Sequence, residues 1–214
     1  MTRLAVVSDI HADVHALRDA LSQAARLGCE KIVCAGDLVD YGLFPEETLT
    51  LLRERHIPCV RGNHDRWAVS GHVDRSGWDL SPESVRFLEG LPTHLSLVID
   101  GVKIAVWHAR PRMRSASTDN ACDMEGIYPG KLILDAKARL LSAAKADVLV
   151  VGHTHVAMAV SFGQSLIVNP GALLREPAPG ADIRATGTFG VLNARARVWT
   201  VHRAADGVVV PHAT

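Results

Sequence analysis

Five short apolar runs end alike, and that repetition constrains the fold more than any other property of the chain. Their ends read Ser8-Asp9-Ile10-His11, Gly36-Asp37, Gly62-Asn63-His64-Asp65, Trp107-His108 and Gly152-His153-Thr154-His155. Between the first runs lie stretches with helical spacing. Val14, Leu17, Leu21, Ala24 and Ala25 recur on one face up to Gly28, and residues 45–55 repeat the pattern. Apolar runs at 4–7, 31–35 and 57–60 alternating with such helices predict a largely parallel sheet. In open sheets of this kind the carboxyl ends of the strands share one crevice, so polar residues from five segments are expected to converge there.

The second half reads differently. Ser81-Pro82-Glu83 opens a helix to about residue 91, with proline in the first turn where its missing N–H costs little. Strands at 94–99 and 102–107 follow, joined by Asp100-Gly101, a strong two-residue hairpin signal, so the sheet becomes mixed. A helix at 130–144 leads to a strand at 148–151, and short strands near Val156, Leu166, Phe189 and Val198 finish the chain. Segments 66–80 and 109–129 lack clear periodicity and are expected as lid loops on a single domain spanning 1–214.

Composition excludes several classes. An apolar content of 48% over 214 residues, with no low-complexity tract, is enough for a sizeable core. With 23 basic and 23 acidic side chains, the chain lacks the electrostatic footprint of a general nucleic-acid or membrane-surface binder. Cys29, Cys34, Cys59 and Cys122 show no C-x-x-C spacing, so reduced thiols are expected rather than a zinc ribbon or a disulfide framework. The apolar run before Asp9 is too short for a signal peptide, which predicts a cytoplasmic protein. Residues 148–174 carry no Asp, Glu, Lys or Arg and could cross a bilayer by length, but His153, His155, Gln164, Asn169 and Pro170 argue against it. A homo-oligomer is neither required nor excluded.

The converging side chains are two Asp, an Asn and several His, oxygen and imidazole donors without a thiolate. Such a set suits Mn, Fe, Co, Ni or Zn. Each alone is a turn acid or a surface histidine; five at one sheet edge point to metal. Gly36, Gly62 and Gly152 each directly precede a polar residue, which suits a tight exit turn and close backbone approach.

The series D-x-H, G-D, G-N-H-[DE], H and G-H-x-H is complete and in order, and by it the chain resembles the calcineurin-like metallophosphoesterase superfamily over residues 4–202. Gly36-Asp37-Leu38-Val39-Asp40-Tyr41-Gly42 and Asn169-Pro170-Gly171 narrow the resemblance to its small single-domain bacterial and archaeal phosphodiesterases. It implies an α/β fold, a four-layer αββα sandwich of two mixed sheets flanked by helices. It also implies two divalent transition-metal ions, manganese foremost, with Fe, Ni, Co or Zn as alternatives. Asp9, His11 and His155 would hold one ion, Asn63, His108 and His153 the other, and Asp37 would bridge them. The implied reaction is hydrolysis of phosphodiesters or phosphomonoesters by in-line attack of a bridging hydroxide, with His64 as general acid oriented by Asp40.

Around that set the alternatives stay open. Asp65 is left to helix capping. Arg110, Arg112 and Arg114 could grip a substrate phosphate through forked N–H donors, or be a solvated charge run. Trp67 and Trp78 could stack on a nucleobase, or pack a core or lid. Ala109-Arg110-Pro111 replaces the Gly-Ser-Pro common after the fourth motif, while Ala12-Asp13 and Ala172 replace the usual Gly-Asn and Ser. The expected partner is a small phosphate ester, a nucleotide among the candidates. A dinucleoside polyphosphate or phosphoprotein hydrolase is the second reading, and a non-catalytic protein-binding scaffold on the same fold is the reading from another class.

Overall fold

Strand β1 (Arg3–Val7) has no polar face, and its surroundings explain why. Leu4 and Val6 face a layer shared by two sheets, while Ala5 and Val7 face helices. Strand β7 (Val148–Val150) repeats the arrangement: Val148 and Val150 enter the shared layer, and Leu149 packs with Leu140 and Leu141 of α5 (Leu134–Ala144). A strand covered on both faces reads as a continuous apolar run. The layer order is helices, sheet, sheet, helix, so the chain forms the αββα sandwich expected from its sequence.

The computed structural model describes residues 1–70, 80–111, 124–131, 134–177, 179–180 and 183–214. The first sheet has the order β12-β11-β10-β1-β2, built from β2 (Lys31–Cys34), β10 (Thr188–Asn193), β11 (Val198–Arg203) and β12 (Val209–Val210). The second has the order β3-β4-β7-β9-β8, from β3 (His94–Ile99), β4 (Val102–Trp107), β8 (Met158–Phe162) and β9 (Ser165–Asn169). Helices α1 (Val14–Arg26), α2 (Pro45–Glu54), α3 (Asn63–Ser70) and α4 (Pro82–Glu89) complete the fold with α5.

Helix starts follow their caps. Asp13 accepts the Ala16 N–H at 2.8 Å to open α1, and Ser81 accepts the Ser84 N–H at 3.1 Å before Pro82 in α4. The hairpin between β3 and β4 turns at Asp100 (φ 50°) and Gly101 (φ 81°), the left-handed pair a type I′ turn requires. No helix among the described residues is long and apolar enough to cross a membrane. Cys34 and Cys59 are buried free thiols and Cys29 is half-buried.

Both large sheets are mixed, as expected: among their strands β1–β2, β4–β7 and β7–β9 pair in parallel and the rest antiparallel. Other expectations are corrected. The run at 57–60 shrinks to one bridge, Cys59 opposite Cys34. Pro58 offers a carbonyl to the Cys34 N–H at 2.9 Å but has no N–H of its own to extend a ladder. Segment 66–80 is not irregular throughout, because α3 runs to Ser70. In segment 109–129, β5 (Arg110–Pro111) pairs with β6 (Met124–Glu125). Trp78, Arg112, Arg114 and Cys122 lie outside the described residues. Where a helix is expected at 130–144, Pro129–Lys131 forms a 3-10 turn and α-helix is described from Leu134 to Ala144.

Candidate metal centre

The exits of β1 and β2 are laced together before any side chain is considered. The Asp9 N–H donates to Gly36 O at 2.9 Å, His11 N–H to Asp37 O at 3.0 Å, and Ala12 N–H to Leu38 O at 2.9 Å. The Gly152 N–H donates to His108 O at 2.9 Å, joining the exits of β4 and β7. A Cβ on Gly62 would lie 2.0 Å from Asp37 Oδ1, and one on Gly152 would lie 2.0 Å from Ser8 Oγ, so both glycines are required for the segments to approach.

Of twelve non-glycine residues with left-handed backbone among the described residues, eight lie here: Asp9, His11, Ala12, Asp37, Asp40, Tyr41, His153 and His155. Asp and His tolerate that region better than most residues, yet each instance costs on the order of 1–3 kcal/mol. The strain is therefore concentrated where side chains must be aimed.

The described residues supply two groups of three that could hold a metal ion: Asp9, His11 and His155, and Asp37, His108 and His153. Within each group the donor atoms lie within 4.8 Å of one another. Asn63 joins the second through Oδ1, which is 3.1 Å from His108 Nε2 and 2.9 Å from His153 Nδ1. All seven residues that the sequence pointed to as ligands thus sit at one edge, seated on strand exits and the start of α3.

Backbone carbonyls fix three of the rings. His11 Nδ1–H donates to Val39 O at 3.2 Å, His108 Nδ1–H to Ala35 O at 2.8 Å, and His155 Nδ1–H to Arg184 O at 2.8 Å. A carbonyl only accepts, so each ring carries its proton on Nδ1 and turns Nε2 inward. Inside, His108 Nε2 stands 3.1 Å from Asp37 Oδ2, His11 Nε2 stands 3.2 Å from His155 Nε2, and the latter stands 3.2 Å from Asp9 Oδ1. Acceptor atoms gathered on acceptor atoms fit cations, and the nitrogen and oxygen donor set fits first-row divalent ions.

Without ions, protons and charges balance the cluster. Burial pulls the His108 ring down, but the neighbouring Asp37 carboxylate outweighs it and pushes the ring up to about 10. Burial holds His11 down to about 4 despite Asp37 and Asp9. Against their burial, adjacent imidazoles keep the Asp37 and Asp9 carboxyls below the usual range.

His64 belongs to neither ligand group. Its Nδ1 lies 2.6 Å from Asp40 Oδ2, and its backbone N–H donates to Asp37 Oδ1 at 2.9 Å. Burial lowers the ring's proton affinity, while Asp37 and the Asp40 contact more than restore it, leaving it above the ordinary histidine value.

Asp65 is the residue that sequence reasoning undervalued. It is fully buried, and its carboxylate accepts the N–H groups of Asp37 at 3.0 Å, Leu38 at 2.7 Å and Gly62 at 2.8 Å. It therefore holds the two turns that carry Asp37 and Asn63. The available signal was an acid in the first turn of a helix whose N-terminus is also a motif. Asn169 acts similarly, its Nδ2 donating to Gly152 O at 2.8 Å and to Thr154 Oγ1 at 3.2 Å.

Arg110 sits on β5 with its guanidinium 3.7 Å from Glu125 of β6, both about half exposed. Among the described contacts it reaches no ligand group. His15 packs on Phe44, and His202 bonds Thr200 and Gly207 O, so neither belongs to a ligand group.

Comparison with known proteins agrees with this geometry. A profile of the calcineurin-like phosphoesterase superfamily domain matches residues 2–195. An uncharacterized protein of Methanocaldococcus jannaschii is 29% identical over 183 residues, which cover 79% of this chain and 69% of that protein. The crystal structure of a metallophosphoesterase from Sphaerobacter thermophilus aligns with a TM-score of 0.67 at 27% identity, over 99% of this chain and 89% of that one. A hypothetical protein from Pyrococcus horikoshii aligns with a TM-score of 0.71 over the same shares, and at 16% identity it shares the fold. Family profile, fold and donor geometry agree: the chain belongs to the calcineurin-like phosphoesterase superfamily and is a metal-dependent phosphoesterase.

Proposed function

We propose that this phosphoesterase works with two divalent ions, manganese foremost, and hydrolyses phosphodiesters or phosphomonoesters, with His64 as the proton donor. The observation that carries this reading is the His64–Asp40 pair, a hydrogen-bonded imidazole at 2.6 Å placed beside both ligand groups without joining either. Metal storage or a binding scaffold needs no such group.

Asp9, His11 and His155 would hold one ion; Asn63, His108 and His153 the other; Asp37 would serve both. Two ions in such a site supply positive charge to the phosphoryl oxygens and make water acidic enough to attack phosphorus at neutral pH. His64 donates its Nε2 proton to the departing oxygen. Asp40 accepts the Nδ1–H, holds the ring in register and steadies the imidazolium before transfer. The Asp37 carboxylate, bound to the His64 N–H, ties the position of the acid to that of the ligands. Ser8 Oγ at 2.5 Å and the His153 N–H at 3.0 Å orient Asp9.

Turnover of bis-p-nitrophenyl phosphate and p-nitrophenyl phosphate, with Mn, Ni, Co, Zn or Mg added to metal-free protein, tests the reading. Metal-dependent hydrolysis is expected. His64→Ala should keep its metal content and lose roughly 100- to 10,000-fold with alkyl esters, much less with p-nitrophenolate as leaving group. Equal losses for good and poor leaving groups would remove His64 from the acid role. Folded, metal-loaded protein that turns over neither ester would favour the scaffold.

A further inference from the structure

Three aromatic rings surround the imidazole that donates the proton. The Trp67 ring centroid lies 4.5 Å from that of His64 at 70°, Tyr41 lies 4.9 Å away at 53°, and His11 lies 5.0 Å away at 88°. His11 is a ligand candidate, but Trp67 and Tyr41 offer no metal donor in either group, and both are only partly buried.

Trp67 follows His64 by three residues on α3, the spacing that puts two side chains on one helix face. Trp107 and Trp199 pack into core clusters, whereas Trp67 joins none of the three clusters of the described residues. Its ring contact is with the acid. Tyr41 (φ 59°) follows Asp40 (φ 83°), and its N–H donates to Asp40 Oδ1 at 2.8 Å. A bulky residue in left-handed backbone persists only where its surroundings over-determine it. Gly42 provides the constraint, since a Cβ there would fall 2.2 Å from His11 O.

We propose that Trp67 and Tyr41 form the leaving-group subsite, and that the favoured substrate is a phosphate ester whose departing alcohol carries a planar aromatic group, such as a nucleobase. This rests on His64 being the acid. A proton donor must come within hydrogen-bond distance of the departing oxygen, so the alcohol on that oxygen emerges beside the His64 ring. Two side chains flanking that ring, Trp67 and Tyr41, are aromatic and keep accessible surface, and Tyr41 also packs edge-on against His11 at 5.0 Å, so the subsite borders the first ligand group. Stacking of a base on such rings is worth roughly 5- to 150-fold in affinity. A sugar or alkyl group gains little there.

Adenosine 5′-monophosphate and ribose 5-phosphate share the phosphate and the leaving oxygen and differ by the base. Each is set in competition against bis-p-nitrophenyl phosphate turnover by the metal-loaded enzyme. The nucleotide is expected to compete at least about fivefold more tightly. In Trp67→Ala that ratio falls toward one, Trp67→Phe retains most of it, and Tyr41→Leu lowers it independently. A Trp67 that only held His64 in place would slow turnover and leave the ratio intact; that result, or equal competition by the two compounds in the unmodified enzyme, overturns the subsite. Absence of reporter turnover with every metal overturns the reaction, and the subsite with it.

Discussion

The two ligand groups use the same residue types and are not equivalent. The group of Asp9, His11 and His155 comes from two segments, the β1 exit and the loop after β7. The group of Asp37, His108 and His153, with Asn63, draws on four. Burial leaves His11 neutral above about pH 4, whereas Asp37 keeps His108 protonated to about 10. Each group also holds a histidine shifted the other way: in the first, the Asp9 contact raises His155 against its burial, and in the second, burial lowers His153. What sets the second apart is how far Asp37 lifts His108, whose proton an ion must displace. Similar donor lists can therefore conceal different costs of loading.

The sharpest way to break that contrast is at the residue assigned to both ions. Asp37→Asn should bind neither ion stably and lose more than about 100-fold in kcat/KM, read by metal analysis of the purified protein and by ester hydrolysis. His11→Ala, by comparison, should retain the second group's ion. If Asp37→Asn keeps one equivalent, the sharing is wrong.

A smaller effect is expected one layer out. Asp65→Ala frees the N–H groups of Asp37, Leu38 and Gly62, and should weaken metal binding roughly 10- to 100-fold at the second group while the first changes less. Titration with a chromophoric chelator as competitor separates the two sites.

Taken per unit of pH, the titration gives the smallest step. The folded, metal-free His108 pKa is raised, so below about pH 10 a proton competes with the ion, and affinity at the second group should rise about tenfold per pH unit toward that value. In the first group His11, lowered to about 4, offers no such competition at neutral pH, and only His155, raised against its burial by the Asp9 contact, does. Calorimetry in buffers of different ionisation enthalpy should show more protons released by the second group's ion; equal release would erase the distinction.

How much of this was legible depended on whether the buried face was apolar. The Asp100-Gly101 hairpin and the continuous runs of β1 and β7 announced themselves because local chemistry and burial agree. Helix α3 did not. Its buried residues are Asn63, His64 and Asp65, so the apolar periodicity that marks a helix is missing where the helix does its chemistry. The pairing of β5 with β6 depends on chain positions 110 and 125 meeting, which no local pattern records. The ligands were readable as strand ends carrying a motif series. The carbonyls of Ala35, Val39 and Arg184 that aim the rings were not, since any residue type supplies a carbonyl.

Leu4 lies opposite Leu192, and this pairing gives the chain a history as well as a shape. At about 5–20 residues per second, some ten to forty seconds of synthesis separate the two partners on the ribosome. Until then one side of β1 lacks its neighbour, and the turn that sets Asp9 and His11 ends a strand with an open edge. Contacts this distant in sequence are slow to form. The nascent protein therefore passes through a period in which every ligand-bearing segment has been made while β1 still has an open side, so late translation is when it most needs protection from pairing with the wrong strand.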